Sequence, residues 1–309
     1  MSSPRAAPTH PRTPASLVLC LALVGVSFAG PLVRLSHAHP LTIAIWRLGF
    51  SLVIILAALL TTGTWRQWRR LDRPGALLAA GAGVMLAIHF WTWNASIGLT
   101  TVAASVVLVN MQPAIVALLS AGWLREPPSR RQWIGIAVAM GGALVVALPD
   151  LVASSASRRH GLLGDMLALA GAVTAACYVV VGRRLRSTLD IWPYVALVYG
   201  TCFVVLLMLA AGVHAPVLGQ PTRELEIFLA LAVGPMLFGH TGLNWALKYL
   251  PAYVVNLTLL GEPVGATFLA ATLPGIHEVP GAATFIGGAL ILAGIVVAAW
   301  AAPPAHSAA

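Results

Sequence analysis

The chain has 309 residues, of which 59% are apolar and only 9% are charged. Soluble proteins carry about 25% charged residues, so this composition excludes a soluble globular protein and indicates one with many membrane-spanning helices. The net charge of +9 could also suggest a nucleic-acid-binding protein, but the basic residues fall between apolar segments, where membrane topology explains them, and no nucleic-acid partner is expected.

Ten apolar segments follow one another along the chain, each close to the roughly 20 residues that cross a bilayer. Polar tails at 1–14 and 302–309 are predicted to be disordered. A cleaved signal peptide is the alternative for the first segment, but its apolar run continues into "PLVRL", which favours a retained span. The predicted spans are residues 15–34, 41–62, 75–94, 100–122, 132–149, 161–182, 191–212, 225–246, 251–272 and 281–301.

The basic residues are unevenly divided between the two sides of the predicted membrane. With the N-terminus in the cytoplasm, thirteen of the 18 fall inside, four fall outside, and Arg47 lies within the second span. Because cytoplasmic loops are enriched in Lys and Arg, this bias predicts that both termini are cytoplasmic. The inside residues are Arg5, Arg12, Arg66, Arg69, Arg70, Arg73, Arg125, Arg130, Arg131, Arg183, Arg184, Arg186 and Lys248, and the outside residues are Arg34, Arg158, Arg159 and Arg223.

The two halves of the chain carry matching features. When the sequence is shifted by 150 residues, Asn94 meets Asn244 and Pro113 meets Pro263. Each half has five predicted spans, so the second half enters the membrane from the opposite side, as in many secondary transporters. The predicted fold is an all-α integral membrane protein with inverted five-helix repeats at 15–149 and 161–301, joined by an extracytoplasmic linker at 150–160.

Several segments resemble one transporter family. The segments are "HPLTIAIWRLGFSLVIILAALL", "VVLVNMQPAIVALLSAGWLREPPSRRQWIGIAVAMGGALVV" and "YLPAYVVNLTLLGEPVGATFLAA" followed by "FIGGALILAGIVV". Over residues 15–300 the chain is similar to EamA-type members of the drug/metabolite transporter superfamily. This resemblance implies ten helices, a central cavity, alternating access, and export of amino acids or other small metabolites. The chain departs from the family pattern after the ninth span, where Pro274 and Gly275 come before Glu278.

Glu262 and Pro263 stand together inside the apolar ninth span. An acidic residue at the centre of a span costs about 2.5–3.5 kcal/mol, so Glu262 is predicted to face a cavity and is the candidate for coupling transport to protons. A purely structural carboxyl group is the alternative. Gln112 and Pro113 are the counterparts in the first half, and both prolines are predicted to kink their helices.

Other polar and aromatic side chains are candidates for the wall of the substrate cavity. His89 and Trp93 lie one helical turn apart in the third span, as do His240 and Asn244 in the eighth, and Tyr178 and Tyr253 are weaker candidates. An aromatic belt at the membrane surface is the alternative for this group. Arg47 is predicted either to extend to the membrane surface, to pair with a carboxylate, or to bind an anionic group of a substrate.

Small residues recur at four-residue spacing in the fifth and tenth spans, at Gly135, Ala139 and Ala143 and at Ala283 and Gly287. Such spacing lets helix backbones approach closely, so these spans are predicted to pack against each other or against a second subunit in a homodimer.

The predicted function is secondary transport of a small molecule by a protein embedded in the lipid bilayer. A membrane enzyme acting on lipids is the alternative, but it would need clustered acids and histidines, and here the acids are scattered. The sequence has no phosphate-binding loop of the Walker type, and no enzyme activity, cofactor or metal site is expected. An arginine-rich, lysine-poor composition favours a bacterial inner membrane as the location.

Overall fold

The computed structural model describes residues 13–152, 155–276 and 280–300, and within them the chain is almost entirely helical and contains no strand. The predicted all-helical class is therefore confirmed. A 3-10 segment spans Thr64–Arg70, and π-helical segments span Ser120–Leu124 and Ala232–Thr241. The α-helices are α1 (Ala15–Ser27), α2 (Ala29–Leu35), α3 (Pro40–Thr62), α4 (Arg73–Ile97), α5 (Val102–Val109), α6 (Gln112–Leu119), α7 (Arg130–Val152), α8 (Ser155–Arg186), α9 (Ile191–Gly212), α10 (Thr222–Leu231), α11 (Gly242–Ala246), α12 (Ala252–Leu259), α13 (Glu262–Thr272) and α14 (Ala282–Trp300).

Eight helical segments in the described ranges are long and apolar enough to cross a membrane. They correspond to eight of the ten predicted spans. The remaining two predicted spans correspond to α7 and to α14, whose apolar part, Ala282–Ala298, is shorter. The eight segments are Ala15–Leu35, Pro40–Thr62, Arg73–Ile97, Ala104–Leu124, His160–Arg186, Ile191–Gly212, Thr222–Ala246 and Ala252–Thr272.

Local sequence signals define the ends of the second and third spans. Pro40 occupies the first turn of α3, where its missing N–H has no helical partner to lose, and the His39 ring accepts a bond from the backbone of Leu41. Gly63 ends α3 in the left-handed region, with φ of 65°, a conformation that favours glycine. The side chain of Asp72 then caps the start of α4, so a short connection joins two antiparallel helices.

Prolines interrupt the fourth and ninth spans at similar positions. Pro113 is the second residue of α6 and Pro263 is the second residue of α13, and in each case a separate helix ends just before. Proline cannot donate the backbone bond that would continue the preceding helix. Both spans therefore consist of two half-helices that meet inside the bundle.

Two other predicted spans are less regular than the sequence suggested. The first span divides at Phe28, three residues before Pro31. The eighth contains a ten-residue π-helical segment with Pro235 inside it. The hydrophobicity of these spans predicted continuous helices at 15–34 and 225–246, but prolines remove backbone donors and disturb the regular hydrogen-bond ladder.

The predicted linker at 150–160 is largely helical in its described part. Helix α7 extends to Val152 and α8 begins at Ser155, both beyond the predicted spans 132–149 and 161–182. The polar side chains of the described part end the hydrophobic pattern, yet these residues are helical, and glycine and proline, which disfavour helices, are absent from the sequence at 151–160.

Helices α7 and α14 are in close backbone contact. A β-carbon added at Gly135 would lie 2.5 Å from the carbonyl oxygen of Gly294, and one added at Gly142 would lie 2.5 Å from that of Gly287. The small residues in these helices therefore serve the packing of one against the other, which is one of the two arrangements that the spacing predicted.

Candidate functional site

A polar cavity lies where the interrupted spans meet α1, α4 and the eighth span. Its volume is about 40 Å³, which holds water but is far below the roughly 300 Å³ of ordinary ligand pockets. The cavity is therefore narrow in this structure. Its lining residues are Val26, Ala29, His89, Trp93, Val109, Asn110, Gln112, His240, Leu259 and Glu262.

Glu262 is placed by the break between α12 and α13. It is the first residue of α13, where the positive end of the helix dipole stabilises a carboxylate, and only 7% of it is exposed. Its Oε2 accepts a hydrogen bond of 3.2 Å from Nδ2 of Asn110, which lies at the corresponding break between α5 and α6. The carboxyl group thus links the two interrupted spans inside the bundle.

A second polar contact joins the same two spans. Nε2 of Gln112 donates to Oδ1 of Asn256 at 2.5 Å, and Nδ2 of Asn256 donates to the carbonyl of Ala252 within α12. In each half, the residue just before the proline therefore bonds to an asparagine of the other half. These two contacts fix the register of the interrupted helices.

Aromatic rings form the opposite wall of the cavity. The rings of His89 and Trp93 are stacked, with centroids 6.2 Å apart, and His240 meets His89 edge-on. His89 is held by a 3.0 Å contact between Nδ1 and the carbonyl of Gly171. Only 5% of His89 and 3% of Trp93 are exposed, so these two residues face the interior, in contrast to the alternative of a surface belt.

Arg47 lies beside this wall and is fully buried, so it does not extend to the membrane surface. Its guanidinium carbon is 4.3 Å from the centre of the Phe90 ring, and Phe90 meets His240 edge-on at 5.3 Å. Nη2 contacts the sulfur of Met236 at 3.9 Å, whereas Nε and Nη1 have no hydrogen-bond partner.

Three of the predicted cavity residues are placed elsewhere. Nδ2 of Asn244 bonds to the hydroxyl groups of Tyr178 and Tyr199, and Tyr199 also bonds to Thr241 at 3.2 Å. This buried network ties the eighth span to α8 and α9. Tyr253 is buried in α12 but does not line the cavity, so Glu262, Gln112, His89, Trp93 and His240 are the predicted residues that the structure brings together.

Asn110 and Asn256 belong to the site but were missed from the sequence. Both are polar residues within apolar spans, Asn110 three positions and Asn256 seven positions before the proline of its span. Their polarity inside an apolar span was a usable signal, since Glu262 was singled out for the same property.

Polar networks join the two halves of the chain at both ends of the bundle. At the arginine-rich end, Arg183 pairs with Glu126 at 2.8 Å, and Asp190 accepts bonds from Lys248 and Gln67 at 2.7 and 2.6 Å. We call these five residues the arginine-end network.

At the opposite end, Glu224 accepts bonds from the Ser36 hydroxyl and the His37 backbone and pairs with Arg223 at 3.3 Å. We call these four residues the Glu224 network. Each network joins residues of the first half to residues of the second and so holds the two halves together at its end of the bundle.

A larger apolar groove of about 430 Å³ opens on the outside of the bundle between α13 and α14. Phe268 and Phe285 line it and are each 67% exposed. The described residues that line the groove carry no charge and face the surface, so the inner polar cavity is the stronger candidate for the functional site.

Comparisons with known proteins relate the chain to transporters. The EamA-like transporter family matches residues 13–148 and again residues 162–300. A protein of Archaeoglobus fulgidus named "Uncharacterized transporter" is 24% identical over 283 residues, which cover 91% of this chain and 96% of that protein. The "Uncharacterized transporter YdfC" of Bacillus subtilis is 22% identical over 280 residues, which cover 90% of this chain and 87% of its own.

A solved structure titled "Crystal structure of protein" has the same fold. Its TM-score is 0.72 at 19% sequence identity, with 94% of this chain and 99% of that chain covered. The apolar helices and the family match together indicate a multi-pass membrane protein. The chain belongs to the EamA-like transporter family.

Proposed function

We propose that the protein is a secondary transporter that exports small metabolites such as amino acids by alternating access. The observation that supports this most directly is the narrow polar cavity, which lies inside an apolar bundle between two interrupted spans. Interrupted helices inside a bundle are where transporters commonly build their substrate sites. The outward direction and the amino-acid class are those that the family resemblance implies.

The proposed architecture has ten spans in two inverted repeats, at 15–149 and 161–301, with both termini in the cytoplasm of a bacterial cell. Contacts between Asn110 and Glu262 and between Gln112 and Asn256 support a site at the interface of the two halves. In the proposed cycle the two end networks break in turn, so that the cavity opens first to one side of the membrane and then to the other.

An efflux screen tests the proposed function. Purified protein is reconstituted into liposomes loaded with labelled amino acids, nucleobases or cationic dyes, and loss of label is followed against protein-free liposomes. We expect amino acids to leave faster from the protein-containing vesicles. No accelerated efflux or uptake of any tested compound would contradict the proposal.

A variant with a filled cavity, compared with the same substitution on the surface, tests whether the cavity is the transport site. Ala29 lines the cavity and is 4% exposed, so Ala29→Phe should fill the space and abolish efflux. Ala57 lies on an exposed face of α3, and Ala57→Phe should leave efflux unchanged. Thermal unfolding of both variants checks that the loss does not come from misfolding, since overpacking alone can cost about 1–3 kcal/mol.

A further inference from the structure

Arg47 is a buried cation without an adequate partner. It is the eighth residue of α3, about 10 Å along the helix from its start, and none of its surface is exposed. Nε and Nη1 have no hydrogen-bond partner, and the contact of Nη2 is a thioether sulfur, which is a weak acceptor. A buried charge in this condition is strongly unfavourable, and a ligand that supplies the missing acceptors would relieve it.

The surroundings of Arg47 hold the guanidinium group without neutralising it. The Phe90 ring supports one face of the group, and Tyr199 and Cys202 lie near enough to interact with its charge. Glu262 also interacts with Arg47 electrostatically, but its carboxylate bonds to Asn110 instead. The Arg47 guanidinium group therefore has no hydrogen-bonded counter-ion among the described residues.

Two rings connect Arg47 to the cavity. Phe90 contacts both the guanidinium group and His240, and His240 lines the cavity. A rotation of these rings, or a small shift of α4 against the eighth span, would expose the free nitrogens to a molecule in the cavity. The cavity has to expand in any case before it admits a metabolite.

We propose that Arg47 binds the carboxylate group of the transported molecule; this inference rests on the proposed transport function. The planar guanidinium group matches a carboxylate with two parallel hydrogen bonds, and Nε and Nη1 are the pair of donors left free for it.

The charge of the cavity narrows the substrate class further. A second carboxylate on the substrate would approach Glu262, which carries the same charge when ionised, whereas an amino group would find an acceptor there. The inferred class is therefore monocarboxylates that include amino acids, with an apolar or aromatic body against Trp93 and Leu259. Dicarboxylates are disfavoured by like-charge repulsion when the Glu262 carboxyl group is ionised.

Ligand-induced thermal stabilisation tests the inference without requiring transport. The purified full chain is titrated with each common amino acid and with the corresponding amide, which lacks only the negative charge. We expect at least one amino acid to raise the melting temperature and its amide to fail. In Arg47→Met the apparent Kd should rise about tenfold or more, in Arg47→Lys it should rise less, and Arg69→Gln, at an exposed arginine, should leave it unchanged.

The ligand-free variants give a second readout that a merely structural arginine would not produce. Replacing an unpaired buried charge by a side chain of similar length removes a cost, so Arg47→Met should melt about 2–4 °C above the wild type in the absence of ligand. A structural role predicts the opposite sign.

The possible outcomes separate the two proposals. Stabilisation by acids and amides alike, or an acid preference that survives in Arg47→Met, would overturn the role of Arg47 while leaving transport intact. Arg47-dependent binding of a carboxylate without any efflux would support the site and contradict the transport function. Absence of stabilisation by every amino acid, together with a lowered melting temperature of Arg47→Met, would overturn the inference.

Discussion

Single polar side chains connect the two interrupted spans, and each is placed by a proline. Gln112 and Glu262 precede Pro113 and Pro263, at the first residue of a new half-helix, so each side chain projects from a helix start. Their partners, Asn256 and Asn110, come from the opposite half. The difference between the halves is that one contact is between two neutral amides and the other includes a titratable group.

Glu262 is therefore expected to make transport depend on pH. The charged and titratable groups around it are Arg47, His89 and His240, and protonation of the carboxyl would weaken its bond from Asn110 and its attraction to Arg47. In reconstituted vesicles, Glu262→Gln should flatten the dependence of efflux rate on pH. Gln112→Glu, which changes the contact with Asn256 instead, should not cause the same flattening. Unchanged pH dependence in Glu262→Gln would remove Glu262 as the coupling residue.

Asp190, outside the membrane spans, should contribute to stability in a way that depends on pH. Burial raises the pKa of its carboxyl group, but hydrogen bonds from Lys248 and Gln67 and the charges of Lys248 and Arg186 lower it more, so the pKa lies below its ordinary value of 3.8. A lowered pKa means that the ionised form stabilises the fold above the ordinary pKa, and that this contribution is lost as pH falls through the lowered value.

Melting curves of Asp190→Asn test this expectation. The variant should melt below the wild type at neutral pH, and the difference should shrink as pH falls below about 4. In a Lys248→Met background the effect of Asp190→Asn should be smaller, because the main partner is already absent. A difference that stays constant across this pH range would contradict the role of the ionised carboxylate.

The sequence was sufficient to identify five of the ten residues that line the cavity. Polar residues inside apolar spans are few and costly, so His89, His240, Gln112 and Glu262 could be recognised by their position alone. Which polar residues face one another could not be recognised, because hydrophobic spans show too little periodicity to reveal which face of a helix turns inward. The sequence therefore could not reveal that Asn244 and Tyr178 pair in a separate network, and Asn244 was as plausible a cavity residue as His89.

Helices in this bundle pack through an extensive apolar core, to which polar contacts at the interrupted spans and glycines between α7 and α14 are added. The existence of the helices can be predicted from the length of the apolar segments, which is a strong signal in a membrane protein. Their interruptions at Phe28 and within Ala232–Thr241 do not, because a proline inside a hydrophobic segment is compatible with a kink, a break or a π-helical turn, and neighbouring helices decide among them.

Adjacent glycines of α7 allow a matched test of the α7–α14 contact. A methyl group at Gly142 would lie 2.5 Å from the carbonyl of Gly287 and 2.8 Å from the backbone nitrogen of Ile291, whereas one at Gly141 would meet nothing within 4 Å. We expect Gly142→Ala to lower the free energy of unfolding by about 1–3 kcal/mol and Gly141→Ala to leave it equal or raise it by up to about 1 kcal/mol. Equal melting temperatures for the two variants would show that α7 and α14 are not in this contact.

Polar networks join the two halves of the molecule at both ends of the bundle, and the two networks differ in composition. The arginine-end network joins Glu126 to Arg183 and Gln67 to Asp190, across the two halves. The Glu224 network gathers three donors on one carboxylate of which 5% is exposed. In an alternating-access cycle each network has to break once, so weakening either one should bias the protein towards opening at that end.

Labelling of a cavity cysteine measures this bias. In a background lacking Cys20, Cys177 and Cys202, Val109→Cys places a thiol on the cavity wall. Adding Glu224→Gln should increase labelling from the Glu224 side, and adding Arg183→Gln should increase it from the arginine-rich side, each by several-fold.

The exposed neighbours Glu226 and Arg184 serve as controls, and Glu226→Gln and Arg184→Gln should leave the labelling from either side unchanged. Increases that do not depend on the side of addition would contradict separate closure of the two ends.

The glycine contact between α7 and α14 also determines which amino-acid changes the chain will accept. Where backbones touch, as at Gly135 and Gly294, side-chain volume is the limiting property, so serine and alanine should be the best-tolerated replacements whatever their polarity. Where Asn110 meets Glu262, hydrogen-bonding capacity is limiting and a change in volume matters less. A complete substitution survey should therefore divide this apolar protein into one region selected for size and another selected for chemistry.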